Sequence, residues 1–215
     1  MIGVGLSNAL QKALAVSLGL CVSLAVSPLV GLAQANLRNS FPGRRVGGGT
    51  RGECSARTLV HLVPDRSVFA PGSTGDLAFV QGPTANPVSL TMTFKPEAGG
   101  ASSSQTLPAS SAGVTLVRRA TISAPTIWES GFDCASGDAV ASADPLSFIE
   151  TASPPAVSLL LSTAEASDTQ VQKSLQTLRQ SCGATVPAAE TLAQFGLADV
   201  VTAEWPQQLP VRCPS

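Results

Sequence analysis

Hydrophobic and polar residues alternate in short runs through the middle of this chain. The clearest run, residues 88–94, reads Val-Ser-Leu-Thr-Met-Thr-Phe, so every second side chain is apolar. A period of two places apolar side chains on one face of a β-strand and polar side chains on the other. Comparable runs, separated by turn-forming Gly, Pro, Asn and Asp, occupy residues 59–63, 76–81, 114–122, 127–134, 146–150 and 156–162. Short strands at this spacing predict a mainly β domain over residues 57–162, an antiparallel β-sandwich of immunoglobulin-like type.

The period changes to that of a helix in the last quarter of the chain, residues 163–215. Val171, Leu175, Leu178 and Cys182 recur at helical spacing, and Gly183 follows as a helix stop. Ser167 and Gln170 have the spacing of a capping box at the start of this helix. A second helix is predicted from Pro187, with Leu192 and Phe195 on its inner face. We therefore expect a two-helix hairpin and a tail packed on the sandwich.

The first 35 residues have the three parts of a secretory signal peptide. Lys12 is the only charged residue there, an apolar run covers 13–30, and Ala33-Gln34-Ala35 is a small-x-small cleavage site. The alternatives are a membrane anchor, which Pro28 disfavours, and a lipid anchor on Cys21. No later run is long and apolar enough to span a bilayer. We expect export to the periplasm or beyond the cell, with no integral span after cleavage.

Four cysteines follow the predicted cleavage site: Cys54, Cys134, Cys182 and Cys213. An even number in an exported chain predicts disulfides, and three pairings are open. We favour Cys54–Cys134 and Cys182–Cys213, because each pair lies within one region of the chain. Free buried thiols are the alternative. Zinc is disfavoured, since there is no C-x-x-C and a single histidine.

Composition and charge narrow the range of partners. The chain has no Tyr and is only 4% aromatic, so its core must rely on Val, Leu and Ile. Removing Lys12 leaves 12 cations against 14 anions, a formal charge of −2. No overall basic field would attract nucleic acid or an anionic membrane.

The positive charge is concentrated in a Gly-rich arm, residues 36–56, that precedes the predicted sandwich. Glycine turns can present backbone N–H groups to an anion, and guanidinium groups can add bidentate contacts. The candidate residues for binding an anion or a partner are Arg44, Arg45, Gly47, Gly48, Gly49 and Arg51. Alternatively, the arm packs along the sheet, its glycines fitting tight spaces and its arginines solvated or paired. The literal G-x-G-x-x-G match at 47–52 lacks the strand and helix that a dinucleotide site requires.

Other candidate chemistry is weak. His61, the only histidine, lies in an apolar run with no marked nucleophile or orienting acid, so we expect a structural role. Glu129 and Asp133 share one face of a predicted strand and could act as paired carboxylates. Asp133, Asp138 and Asp144 match no calcium loop. We predict no catalytic residue, no cofactor and no metal site.

Residues 42–52, with the sequence PGRRVGGGTRG, resemble the start of an uncharacterised bacterial family labelled domain of unknown function 928. Three further features agree with that family: Cys54, an aromatic strand ending in a cysteine at 128–134, and the segment Phe-Gly-Leu-Ala-Asp at 195–199. The resemblance covers most of the mature chain and implies a secreted or periplasmic protein. The family carries no known catalysis or ligand, so it transfers no functional residue.

These observations predict an exported cell-envelope protein that is a non-catalytic binding or structural module. Its partner would be an envelope macromolecule, either a protein or an acidic glycan. The alternative is an atypical carboxylate-dependent hydrolase acting in the periplasm. A deep pocket with two close carboxylates would favour the hydrolase, whereas a flat sheet face and an ordered arm would favour the binding module.

Overall fold

The computed structural model describes residues 37–48, 57–134 and 154–214. Within them the alternating runs form strands β1 Val46–Gly47, β2 Leu59–His61, β3 Val68–Phe69, β4 Asp76–Gln81, β5 Leu90–Pro96, β6 Ser103–Leu107, β7 Gly113–Arg118, β8 Thr126–Phe132, β9 Ala156–Leu160, β10 Thr185–Pro187 and β11 Gln208–Arg212. The helices are α1 Ala166–Gln180 and α2 Ala188–Ala193, with 3₁₀ turns at Gly72–Thr74 and Ala198–Val200. The predicted signal peptide and the predicted strand at 146–150 lie outside the described residues.

The strands form two sheets that face each other. Sheet I has the order β1-β2-β4-β7-β11-β10, and sheet II has the order β3-β9-β8-β5-β6. Inward-facing side chains of both sheets, among them Phe79 of β4 and Trp128 of β8, are fully buried in one apolar cluster. Burial of such side chains stabilises the fold by about 1.5–3 kcal/mol each. The mainly β, two-sheet architecture predicted from the sequence is confirmed.

The prediction of purely antiparallel sheets is wrong at two places. β3 pairs with β9 in parallel, and β11 pairs with β7 in parallel. Parallel neighbours require a long crossover connection. The chain supplies one in each case, because strands of the opposite sheet and, before β11, the helices intervene.

The predicted C-terminal helices are both present, and two strands accompany them. β10 pairs antiparallel with β11, and β11 lies between β10 and β7 in sheet I. Val171, Leu175 and Leu178 form the buried stripe of α1, as its period predicted. The capping box is instead made by Glu165 and Asp168, because the helix begins at Ala166 and not after Ser167. In the described part of the chain, no helix has the length and apolar character needed to cross a membrane.

Asp168 anchors the start of α1 through a buried ion pair. Its carboxylate, fully buried, accepts hydrogen bonds from Arg38 Nη2 at 2.6 Å and from the backbone N–H of Ala70 at 3.2 Å. Arg38 also donates to the carbonyl oxygen of Thr163. Removing one partner of such a pair leaves the other charge buried and unpaired, which destabilises the folded protein. Asp168 thus connects the helical turn at residues 37–40, the end of β3 and α1.

Cys182 and Cys213 form a disulfide that joins the end of α1 to the segment after β11, as the sequence predicted. Their Cα atoms are 5.7 Å apart, and the bond closes a separation of 31 residues. Cys134 is also disulfide-bonded, and its partner lies outside the described residues. Cys54 is outside them too, so the Cys54–Cys134 pairing stays a prediction.

Replacing Cys213 with Ser should lower the free energy of unfolding by about 3–4 kcal/mol, because the unfolded chain regains the entropy of a loop of this length. Urea unfolding of the exported protein measures the change. The matched variant Cys182→Ser and the double variant should lose the same amount. A double variant as stable as the wild type would contradict a stabilising role for this bond.

Candidate functional site

The outer face of β5, β6 and β8 presents a row of hydroxyl groups to solvent. Alternation in β5 places Leu90, Met92 and Phe94 in the core and leaves Thr91 and Thr93 outside. Thr91 Oγ1 lies 3.1 Å from Thr106 Oγ1 on β6, and Thr93 Oγ1 lies 3.0 Å from Ser104 Oγ. Cross-strand pairs of this kind stabilise a sheet modestly. We call the surface made by Ser89, Thr91, Thr93, Lys95, Ser104, Thr106, Glu129 and Asp133 the hydroxyl face.

Two carboxylates lie on the hydroxyl face, and both have partners. Asp133 Oδ2 accepts hydrogen bonds from Ser89 Oγ and Thr91 Oγ1, each at 3.0 Å. Glu129 forms an ion pair with Lys95 at 2.7 Å. The two acids are four positions apart, Glu129 in β8 and Asp133 just after its end, so their Cα atoms are about 13 Å apart in extended chain. That spacing exceeds the roughly 5–10 Å between the carboxyl groups of a glycosidase.

The described part of the arm pairs with one strand of each sheet. Arg44 and Val157 of β9 exchange two backbone hydrogen bonds, and the His61 N–H donates to the carbonyl oxygen of Arg45 at 2.8 Å. The arm therefore pairs with sheet II at Arg44 and, one residue later, with β2 of sheet I. The same segment also includes a helical turn at residues 37–40.

The arm glycines allow close approach of backbones. A Cβ on Gly47 would overlap the backbone nitrogen of Ala156. A Cβ on Gly48 would overlap the carbonyl oxygen of Arg57, and Gly48 has a φ of +112°, which L side chains rarely adopt. The described glycines thus match the alternative in which the arm packs along the sheet. Gly49 lies outside the described residues.

The three arginines of the arm that were candidates for binding differ in their exposure to solvent. Arg45 is half-buried and donates to the carbonyl oxygens of Val63 and Phe195, and it pairs with Asp65 at 2.6 Å. Arg44 is exposed. Arg51 lies outside the described residues. The predicted contact role of these arginines stays a prediction, and Arg45 has its donors engaged within the fold.

His61 is sealed between the sheets. Its imidazole stacks on Trp128, with ring centroids 3.5 Å apart and an interplanar angle of 7°. Nδ1 lies 2.8 Å from Ser158 Oγ, a partner that the sequence did not reveal. A serine hydroxyl beside a histidine is a pair that some hydrolases use as nucleophile and base. Here both side chains are fully buried, so a substrate cannot reach them. Burial lowers the pKa of His61 well below its usual 6.5, so the ring is neutral.

Arg118 and Arg179 line a cleft that is bordered by β6, β7, α1 and the segment after β11. The cleft has a volume of about 460 Å³ and is lined by Gln105, Val117, Arg118, Arg179, Cys213 and Pro214. Asp76 Oδ1 accepts from both Arg118 Nε, at 3.4 Å, and Arg179 Nη2. We call this feature the arginine cleft. Sequence reasoning missed it, because its cations come from β7 and α1 and no local motif joins them.

A smaller cavity of about 190 Å³ lies between α1 and α2 and has a mainly apolar lining with one acid, Glu190. Across the described ranges, no three His, Cys, Asp or Glu side chains come together where a metal could bind. Neither cavity brings two carboxylates together.

The chain matches no known protein family, no curated protein and no solved structure.

Gly48→Ala should destabilise the protein by about 3 kcal/mol, because the methyl group must displace the Arg57 backbone and the residue must keep a positive φ. The matched control is Gly99→Ala, since Gly99 also has a positive φ but nothing within 4 Å of its added Cβ. That control should lose about 1 kcal/mol. Thermal or urea unfolding measures both, and equal losses would show that the arm can shift freely.

The free energy of unfolding should fall as the pH is lowered through 6.5. His61 takes up a proton in the unfolded chain at these pH values, whereas burial keeps it neutral in the folded protein. The expected loss is about 1.4 kcal/mol between pH 7.5 and pH 5.5. His61→Phe keeps an aromatic ring against Trp128 and removes the only imidazole in the chain. Its free energy of unfolding should be flat over this range. An unchanged slope in the variant would assign the effect to other groups.

Proposed function

We propose that this chain is an exported, non-catalytic module that binds another macromolecule of the cell envelope. The observation that carries the proposal is the hydroxyl face, an ordered polar surface open to solvent across three strands. The groups that could do chemistry are committed elsewhere: His61 is buried, Asp168 and Asp76 are ion-paired, and Glu129 and Asp133 lie far apart. A sheet face with an ordered arm, and no deep pocket with two close carboxylates among the described residues, favours a binding module over a hydrolase.

A protein fits the hydroxyl face better than an acidic glycan does. Lys95 is the one cation among its defining residues, and Glu129 and Asp133 make the face net negative. Its defining residues include no aromatic ring on which a sugar could stack. Hydroxyl groups that can both donate and accept suit the polar contacts of a protein partner.

Export and family membership belong to the same proposal. The Cys182–Cys213 disulfide is compatible with an oxidising compartment, and the predicted signal peptide at 1–35 would deliver the chain there. The resemblance to domain of unknown function 928 agrees with a periplasmic or secreted protein. The immunoglobulin-like relationship is also retained as a prediction: two facing sheets agree with it, and the parallel pairs β3–β9 and β7–β11 would be additions to that plan.

Thr93→Lys should abolish capture of the partner, because it places a long cation in the centre of the hydroxyl face. The protein without its signal peptide serves as bait for the periplasmic and secreted fractions of the source cells, with detection by mass spectrometry. The control Thr185→Lys changes an exposed strand threonine of sheet I and should capture the same partner as the wild type. Partner recovery that is equal with both variants would exclude the hydroxyl face.

Glu129→Gln distinguishes the binding module from the alternative hydrolase. A hydrolase that uses Glu129 would bind its substrate but lose turnover in this variant. The binding module should show no release of product from the captured partner with either protein. Turnover by the wild type that the variant lacks would replace our proposal with the hydrolase.

A further inference from the structure

Strand β6 is an exposed edge of sheet II without the usual protection against pairing. Among the described residues β6 pairs only with β5, and Ser103–Thr106 are exposed. Edge strands are normally blunted by short length, proline or an inward charge. The other three sheet edges are two or three residues long, and β10 contains Pro187. β6 has five residues and neither proline nor charge.

The arginine cleft lies directly beside this edge. Gln105 of β6 pairs directly with Met92 of β5, which is buried, so both side chains are on the inner side of sheet II. Gln105 also lines the cleft. A strand added to β6 would lie about 4.8 Å away, and every second side chain would point to the same side as Gln105. Those side chains would enter the arginine cleft.

The cleft has more positive charge than its own acid neutralises. Asp76 accepts from Arg118 and Arg179, and Arg119 donates to Ser103 Oγ of β6 at 2.9 Å. Two arginines of the cleft therefore face one carboxylate, and Arg119, which lies over the Phe94 ring, adds a third cation near β6. The Arg118 side chain is 64% exposed and contacts Asp76 through Nε, whereas Arg179 Nε is buried. The guanidinium group of Arg118 therefore suits a planar anion such as a carboxylate.

We infer that an extended acidic segment of a partner protein pairs with β6 and places a Glu or Asp side chain in the arginine cleft. Backbone hydrogen bonds to the edge would supply affinity, and the arginines would select the acidic sequence. This contact adds a second surface to the proposed function. It uses backbone groups of β6, including those of Ser104 and Thr106 of the hydroxyl face, but it does not use Thr93. The two contacts can therefore be tested separately: a negative result for the peptide leaves the proposal for the hydroxyl face unchanged, and the reverse also holds.

The experiment uses fluorescein-labelled peptides of about ten residues, the length of a long strand. One alternates Thr with Glu, and its controls alternate Thr with Gln or Thr with Lys. In fluorescence anisotropy the Thr–Glu peptide should bind at least about tenfold more tightly than the Thr–Gln peptide, and the Thr–Lys peptide should not bind. Equal affinity for all three, or no binding of Thr–Glu, would overturn the inference.

Arg118→Gln should weaken Thr–Glu binding about tenfold and leave Thr–Gln binding unchanged. The matched control Arg66→Gln alters another exposed arginine, next to β3 at the opposite edge of sheet II, and should bind like the wild type. Both sites are exposed, so both variants should fold, which circular dichroism checks. An equal loss of Thr–Glu affinity in the two variants would show that net charge alone causes the effect, and it would overturn the assignment to the cleft.

Backbone methylation separates strand pairing from side-chain attraction. An edge strand uses alternate N–H groups of its neighbour, so methylating one alternate set should abolish binding and methylating the other set should not. Hydrogen exchange at residues 103–107 should slow on binding. Equal tolerance of both methylated peptides would overturn strand pairing. The amides of β6 could instead become protected from hydrogen exchange as the protein concentration rises, with no binding of the peptide. That result would show that a second copy of the chain occupies the edge, and it would overturn the inference.

Discussion

The stack of His61 on Trp128 holds the two sheets in register, and the positions of the outer surfaces follow from it. The rings belong to β2 of sheet I and β8 of sheet II, and they meet face to face in the centre of the core. With few aromatic side chains in the chain, most of the remaining core is aliphatic and exerts little directional preference. The hydrogen bond between His61 and Ser158 adds a third strand, β9, to this contact. Because Trp128 faces inward, its neighbour Glu129 faces outward onto the hydroxyl face.

The described arm residues that suggested binding also make contacts within the fold. Its glycines lie where backbones of β9 and Arg57 approach, and Arg45 satisfies carbonyl oxygens that loops would otherwise leave unpaired. A half-buried arginine with several acceptors stabilises the native state more than an exposed one, since surface ion pairs contribute only about 0–1 kcal/mol. The binding surfaces proposed here are the outer face of sheet II and the β6 edge beside the arginine cleft. Arg44 of the arm pairs with Val157, which pairs in turn with Glu129 of the hydroxyl face.

The sequence predicts those parts of the fold in which local pattern and tertiary position agree. β5 was predictable because its alternation is strict and one face is buried. β6 was not, since Ser-Ser-Gln-Thr-Leu carries almost no apolar signal and forms a strand only by pairing with β5. β11 contains Pro210, which argues against a strand inside a sheet, yet it lies between β7 and β10. The candidate site was largely hidden: Arg118 and Arg179 meet through Asp76, which lies far from both in sequence.

The position of β11 between β7 and β10 fixes the order in which the molecule can be completed. A polypeptide is synthesised from its amino terminus, so the residues of every other strand described here are made before those of β11. Until then, β7 presents a bare inner edge and β10 has no neighbour to pair with. Sheet I must wait for its final strand, and the nascent chain carries an unsealed seam that chaperones or neighbouring chains could reach. Sheet I and the Cys182–Cys213 bond can therefore be completed only after the chain up to Cys213 has been synthesised.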